Sequence, residues 1–329
     1  IMRLLASMGA GFDCASKSEI EQVISLGVSP DRIMFAHPCK PIRDIIYAND
    51  QGVVKTTFDS ESEIEKISLH RDAFQSVIRI RADDPDARVP LGLKYGAELE
   101  DVPRLLKHAK RLGVKVSGVS FHIGSASNNM DAYRCAISSA RYAYDVACSL
   151  GFEINLLDIG GGFTGRFNSD GNVDIGQLAS TINTALDKDF PKESNVAIIA
   201  EPGRYFAETS ATLFCPVLGK RDRKGHKDYF LTDGLYGSFN CMLYDGQIPS
   251  YSVVRSPFLE PVEDDKTFLS TIWGPTCDSA DVLYKNVLLP ELRNHDWLMF
   301  PNAGAYTIAG ACDFNGIAMT KPAVFYRFS

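Results

Sequence analysis

The sequence predicts an α/β fold, a (β/α)8 TIM-type barrel over residues 1–209 followed by an all-β domain over 210–329. Three observations predict it. Apolar strand-like runs alternate with amphipathic segments through the first two thirds of the 329 residues. After about Ala207 the rhythm changes to short strand-like runs with turn signals and no long helices between them. The last two strands of the first part run into Asp158-Ile159-Gly160-Gly161-Gly162-Phe163 and Glu201-Pro202-Gly203-Arg204, and the loops after barrel strands seven and eight are a frequent phosphate site.

The elements follow in order. The first strand is read over Gly9–Ser16, and Ser16 with Glu19 makes a capping box before Ile20, Val23 and Ile24, with Gly27 ending the helix. Further strands are read at Ile33–Pro38, Val54–Phe58, Ser76–Arg81, Val116–Ile123, Asn155–Ile159 and Val196–Glu201. Pro41 opens a second helix with Ile42, Ile45 and Ile46 inward, and Ser60 with Glu63 repeats the capping box before Ile64 and Ile67. Longer helices are predicted over Val102–Leu112, Ala132–Leu150 and Ile175–Phe190. Seven strands are counted where a closed barrel needs eight, and the chain opens on Ile1-Met2-Arg3-Leu4-Leu5, which reads as a helix already under way. The first βα unit is therefore expected to be missing from this chain, the alternative being an open seven-stranded sheet. In the second part, strand-like runs are read at Thr212–Gly219, Tyr229–Thr232, Trp297–Phe300 and Val324–Phe328, with a charged turn at 221–225, a loop over Gly246–Lys266 and a short helical or irregular piece near Asp278–Tyr284.

The net charge of −7 gives no basic footprint for nucleic acid. No stretch reaches the length of an apolar membrane span. The eight cysteines are scattered without a CxxC or Cys/His cluster, which favours reduced thiols in a cytoplasmic protein over a disulfide framework or a metal site. Three glycines at a strand end leave backbone N–H groups to surround an anion, and Arg204 adds a phosphate donor. Glu201 is out of place in an anion site unless the ligand also carries a basic ring nitrogen. Pyridoxal 5'-phosphate is such a ligand.

Seven segments then occur in order: Gly11-Phe-Asp-Cys-Ala-Ser16, Val119-Ser-Phe-His-Ile-Gly-Ser125, Leu157-Asp-Ile-Gly-Gly-Gly-Phe163, Ala200-Glu-Pro-Gly-Arg-Tyr205, Asp233-Gly-Leu-Tyr-Gly-Ser-Phe-Asn240, Gly274-Pro-Thr-Cys-Asp278 and Gly304-Ala-Tyr-Thr307. On these the chain resembles the eukaryotic ornithine decarboxylases, pyridoxal-phosphate-dependent enzymes of the alanine-racemase-like class. The resemblance covers nearly the whole chain and implies a cofactor-binding barrel plus a β domain. It implies decarboxylation of L-ornithine to putrescine, in polyamine biosynthesis, through an external aldimine and a quinonoid. Glu201 matches the partner of the pyridine nitrogen, and His122 matches the imidazole stacked on the ring. Ser125, Gly162, Gly203, Arg204 and Tyr306 match the phosphate contacts, with Gly160, Gly161 and Pro202 in the same loops, and Asp13 matches an acid near the Schiff-base lysine.

The resemblance also implies a homodimer with active sites shared across the interface. Cys277 of the partner subunit would return a proton to the substrate carbon. A thiol titrates near enough to neutrality to donate when well placed. Asp278 and Asp245, with Tyr244, would bind the distal ammonium of the diamino acid. The family's Schiff-base lysine lies on the first barrel strand, in a segment that this chain does not contain. Gly246 stands where many relatives carry histidine, and Ser279-Ala280 stand where animal relatives carry glycine and leucine. Both differences adjoin the distal-amine residues and leave room for lysine as substrate. Two further implied readings are a broader lysine/ornithine decarboxylase and an inactive regulator with antizyme as its partner.

Overall fold

The computed structural model describes residues 1–84, 87–126, 129–166, 174–259, 266–318 and 323–326. They form two units, Ile1–Phe206 and Ala207–Ser329. In the first, β1 (Phe12–Cys14), β2 (Ile33–Phe35), β3 (Lys55–Phe58), β4 (Gln75–Arg79), β5 (Val116–Ser120), β6 (Leu156–Asp158) and β7 (Ala197–Ile199) make one sheet in chain order. Every neighbouring pair is parallel, so each connection must cross back over a face, and helices do this. They are α1 (Met2–Ser7), α2 (Lys17–Ser25), α3 (Ile42–Asp50), α4 (Glu61–Ser68), α5 (Val102–Arg111), α6 (Met130–Ser149), α7 (Ile175–Asp189) and the short α8 (Gly203–Ala207) after β7.

Among the described residues β1 and β7 each pair on one side only, and Ile198 and Ile199 are 39% and 37% exposed whereas β6 is wholly buried. Yet Asp13 of β1 and Glu201 just past β7 line the same cavity. The sheet therefore curls until its two edges face one space, as in a barrel with one strand's place open. The sheet is thus curled towards a barrel, while among the described residues its seven strands stay open between β1 and β7.

The helices bury small faces against the sheet. On α6, Ala132, Ala136, Ala140, Ala143 and Ala147 are all buried beside Tyr133 and Ile137. Side chains this small let the helix backbone approach closely, and burying the two large ones contributes about 1.5–3 kcal/mol each. The predicted cap on α2 forms: the Glu19 N–H donates to Ser16 Oγ at 3.3 Å, and Glu19 Oε2 accepts the Ala15 N–H at 2.6 Å. Two helix readings are corrected. On α3 the buried residues are Asp44, Ile45 and Ala48, while Ile42 and Ile46 are 49% and 41% exposed. On α4, Ser60 stands at the N-cap position without a side-chain cap bond. Glu63 is instead fully buried, with Lys40 Nζ 2.8 Å from its Oε1 and Lys66 on its other oxygen. A buried cation outweighs a cap bond as partner for that carboxylate.

The second unit is a six-stranded mixed sheet in the order β10-β13-β8-β9-β11-β12, from β8 (Leu213–Arg223), β9 (His226–Leu231), β10 (Ser252–Val254), β11 (Thr267–Trp273), β12 (Val282–Pro290) and β13 (Trp297–Phe300). Among the described residues of this unit, only β9 and β11 pair in parallel. Its core holds Tyr229, Leu231, Ile272, Leu298 and Phe300. Four sequence readings change here. β8 runs on to Arg223, and the hairpin turn is confined to Lys224 and Gly225, both at positive φ. The irregular piece near Asp278–Tyr284 passes into strand at Val282. β10 lies inside the segment read as loop, of which residues 260–265 are outside the described residues. Of the strand read at Val324–Phe328, the described residues up to 326 are not in a strand, and the rest lie outside the described residues.

Candidate active site

The first unit holds a cavity of about 180 Å³ whose lining includes Asp13, His37, Arg79, Tyr95, His122 and Glu201. Its base is acidic. Asp158, at the C-terminal end of β6, is 1% exposed, and its Oδ1 accepts the Gly160 N–H at 2.9 Å. Its Oδ2 is buried with no N–H or hydroxyl donor among the described residues, and the carboxyl group pairs instead with that of Glu201, with which it can share a proton. Burial pushes the Asp158 carboxyl up to about 6, against the pull of the Gly160 N–H. Burial and then the facing Asp158 carboxyl push Glu201 well above the usual carboxylate range. Asp13 is raised by burial and by Glu201, although water reaches it along the open edge and moderates the shift. Arg79 opposes all three shifts. Three acids against one guanidinium make a site that lacks a cation.

The loops beside this base favour an anion. Gly160 and Gly162 take φ of 67° and 94°, in the region that glycine tolerates best. A Cβ on Gly161 would lie 2.5 Å from the Glu201 carbonyl oxygen, and one on Gly162 would overlap the Gly124 carbonyl oxygen. The N–H groups of Gly161 and Gly162 have no partner among the described residues. Two of the expected donors are engaged elsewhere. The Gly160 N–H donates to Asp158, and the Gly203 N–H closes a tight turn over Pro202 onto the Glu201 carbonyl at 2.8 Å. Gly203 nevertheless faces open space, since a Cβ there would meet nothing within 4 Å. Arg204 is 5% exposed, and its Nε donates to Ser125 Oγ at 3.1 Å.

His122 follows β5. The Gly124 N–H donates to its Nδ1 at 3.1 Å, which fixes the tautomer, and burial reinforced by Arg79 lowers its pKa to about 4. It is a neutral, flat ring against Gly161. Sequence reasoning missed Arg79, His37, Tyr95 and Tyr133. Tyr133 donates its hydroxyl to the Gly161 carbonyl at 3.2 Å and stacks on Phe163, 5.5 Å between centroids, so it props the glycine loop from beneath.

The remaining predicted residues belong to the second unit. Cys277 is exposed, and its N–H donates to Asn315 Oδ1 at 3.2 Å. Asp278 accepts the Ala280 N–H at 2.9 Å and the Tyr236 hydroxyl, and these bonds hold its carboxyl below the usual range, so it is an anion at neutral pH. Tyr236 stacks on Phe314, with centroids 4.1 Å apart. Asp281 is buried and accepts from Leu235 N–H, Thr276 N–H and Thr276 Oγ1, at 2.8–3.1 Å, which fixes the loop that carries Cys277. Asp245 is buried behind the short helix α9 (Cys241–Tyr244), and Gly246 after it takes φ 59°, a conformation that a side chain there would strain. Tyr244 is 70% exposed and Tyr306 55%, the latter with φ 59°.

The first-unit residues fit pyridoxal phosphate on both counts. The buried Asp158–Glu201 carboxyl pair, with Asp13 beside it, calls for a ring cation, and the glycine N–H groups that a Cβ would block call for an anion. The same acids destabilise the cofactor-free protein. Asp158→Asn keeps an oxygen for the Gly160 N–H and removes a buried charge, so it should stabilise the cofactor-free protein by about 1–3 kcal/mol. The sign follows from the raised pKa. The ionised acid costs stability above about pH 6, and the cost fades as pH falls towards the unfolded value of 3.8. Melting temperatures of the two proteins should therefore differ at pH 7.5 and converge near pH 4; equal values at pH 7.5 would refute the assignment.

Comparison with known proteins agrees with this chemistry. Residues 1–208 match the family model described as pyridoxal-dependent decarboxylase, pyridoxal binding domain. The chain is 44% identical over 328 residues to antizyme inhibitor 2 of Xenopus laevis, covering 96% of this chain and 71% of that protein. It is 45% identical over 320 residues to the chloroplastic ornithine decarboxylase of Nicotiana glutinosa, covering 96% and 73%. Among solved structures, the arginine decarboxylase of Paramecium bursaria Chlorella virus superposes with a TM-score of 0.89 at 42% identity, over 96% of this chain and 83% of that one. With an acid base and glycine loops built for pyridoxal phosphate, and with this family match over nearly two thirds of its length, the chain belongs to the pyridoxal-dependent decarboxylases.

Proposed function

We propose that this protein decarboxylates L-ornithine to putrescine, as a homodimer whose active sites draw on both subunits. The observation that carries the reading is the charge pattern within the first unit, where three acids adjoin two bare glycine N–H groups. Pyridoxal phosphate supplies the electron sink for the carbanion left when carbon dioxide departs. Glu201, backed by Asp158, would keep the ring nitrogen protonated. The Gly161 and Gly162 N–H groups, Ser125 and Arg204 would hold the phosphate, with Tyr306 contributed by the second unit. His122 would cover one ring face. Asp278 and Asp245 would bind the distal ammonium, because a desolvated cation needs compensating carboxylates. Cys277 of the partner subunit would return the proton to the α-carbon. Cys277→Ala should slow product formation without weakening cofactor binding; an unchanged rate and product would remove that role.

The deciding experiment measures carbon dioxide release from ornithine and lysine side by side, with full-length protein and added pyridoxal phosphate. Preference for ornithine supports the reading. Preference for lysine moves the function to the longer substrate, where one methylene is worth only about 1–3 kcal/mol of discrimination. The 44% identity to an antizyme inhibitor supports a second reading, a regulator without catalysis. No release from either substrate, together with no absorbance from bound cofactor, would favour it.

A further inference from the structure

His37 is a cavity residue whose role the reading above leaves unassigned, and both its ring and its backbone are held in place. The Cys39 N–H donates to Nδ1 at 2.9 Å. Tyr95 packs against the ring edge to face, at 5.5 Å and 69°. Lys40 Nζ donates to the His37 carbonyl at 2.9 Å. Lys40 is 2% exposed and is itself fixed by the Thr57 carbonyl at 2.7 Å and Glu63 Oε1 at 2.8 Å. With Nδ1 accepting, a neutral ring carries its hydrogen on Nε2. Burial, followed by the Lys40 charge, lowers the pKa of His37 and keeps the ring neutral. Nε2 has no partner among the described residues, and His37 lines the cavity.

We propose that the His37 Nε2–H orients the α-carboxylate of the substrate, with Lys40 as its positioning residue. The inference rests on the decarboxylase reading. In that reaction the carboxylate charge is lost on the way to carbon dioxide. A cationic partner would hold the ground state more tightly than the transition state and slow the step. A neutral donor fixes direction with little of that penalty. The other basic side chains of the cavity are placed differently: Arg79 stands among three acids, and His122 faces Gly161.

The test uses full-length holoenzyme, unaltered and as His37→Phe, His37→Gln and Lys40→Met. Rapid-mixing absorbance of the bound cofactor gives dissociation constants for L-ornithine, before turnover, and for putrescine, which lacks the carboxylate. His37→Phe should weaken ornithine about 10- to 100-fold and leave putrescine unchanged, which also shows that the fold is intact. His37→Gln, which keeps a donor, should recover part of the loss. Lys40→Met should show the same selective loss to a smaller degree. Equal weakening of both ligands, or of neither, overturns the inference while the decarboxylase reading stands. Failure of the unaltered protein to bind either ligand would overturn both.

Discussion

Glu201→Gln is expected to cut carbon dioxide release roughly 100- to 1,000-fold and, at the same time, to raise the melting temperature of the cofactor-free protein. Both effects have one cause. Glu201 is crowded by Asp158 and by burial, which push its carboxyl well above the usual range. Two adjoining carboxyls in a cavity, whether they repel as anions or must take up a proton to pair, are a cost that the protein carries until a cation arrives. Glutamine removes the cost, so the cofactor-free protein should melt about 2–4 °C higher at pH 7.5. Glutamine cannot share a proton with a ring nitrogen as a carboxylate does, so the ring loses its cationic state and its capacity as electron sink. The phosphate loops are untouched, and cofactor binding should persist. Turnover assays, cofactor absorbance and thermal melts of one variant separate these effects. Unchanged turnover would remove Glu201 from the ring nitrogen. A lower melting temperature would mean that the carboxylate stabilises the cofactor-free protein and would overturn this account.

Local patterns were readable. The Gly160–Gly162 run and Glu201–Arg204 announce tight turns at strand ends whatever surrounds them, and Ser16 with Glu19 specifies a cap within four residues. Readings that depend on distant partners were not. Glu63 has the spacing of a capping-box residue, but Lys40, 23 residues earlier, captures it. The apolar stripe of α3 names a face, yet Ile42 and Ile46 remain exposed while Asp44 and Ala48 are covered. β11 and β12 were missed, and their pairing is irregular: register shifts fall between Ser270 and Trp273, and Asn286 takes φ 57°. Arg79, His37 and Tyr95 belong to no motif. They meet the acids only because the sheet curls, and curl is a property of the assembled strands.

Gly162→Ala should abolish the anion cradle, with cofactor affinity falling roughly 100-fold or more and stability by about 1–3 kcal/mol. The position combines φ 94° with a Cβ that would overlap the Gly124 carbonyl oxygen. Gly124 is itself pinned, since at φ 119° its own Cβ would lie 2.7 Å from that of Ala87. Neither loop has room to yield, so the methyl group must push the loops after β5 and β6 apart and turn the Gly161 and Gly162 N–H groups away from a common point. Gly203→Ala is the control. It adds the same methyl group at a position without positive φ and with nothing within 4 Å, so it should leave the melting temperature unchanged. If the phosphate fills that open space, Gly203→Ala should still weaken the cofactor, because the methyl group and the anion would compete for it. Cofactor titration and thermal melts of the two variants thus read different things. Loss of both properties in Gly162→Ala, with loss of affinity alone in Gly203→Ala, places the phosphate between the two loops. Full affinity in Gly203→Ala would place it on the Gly161–Gly162 side alone. Full affinity in Gly162→Ala would remove the phosphate from this end of the barrel.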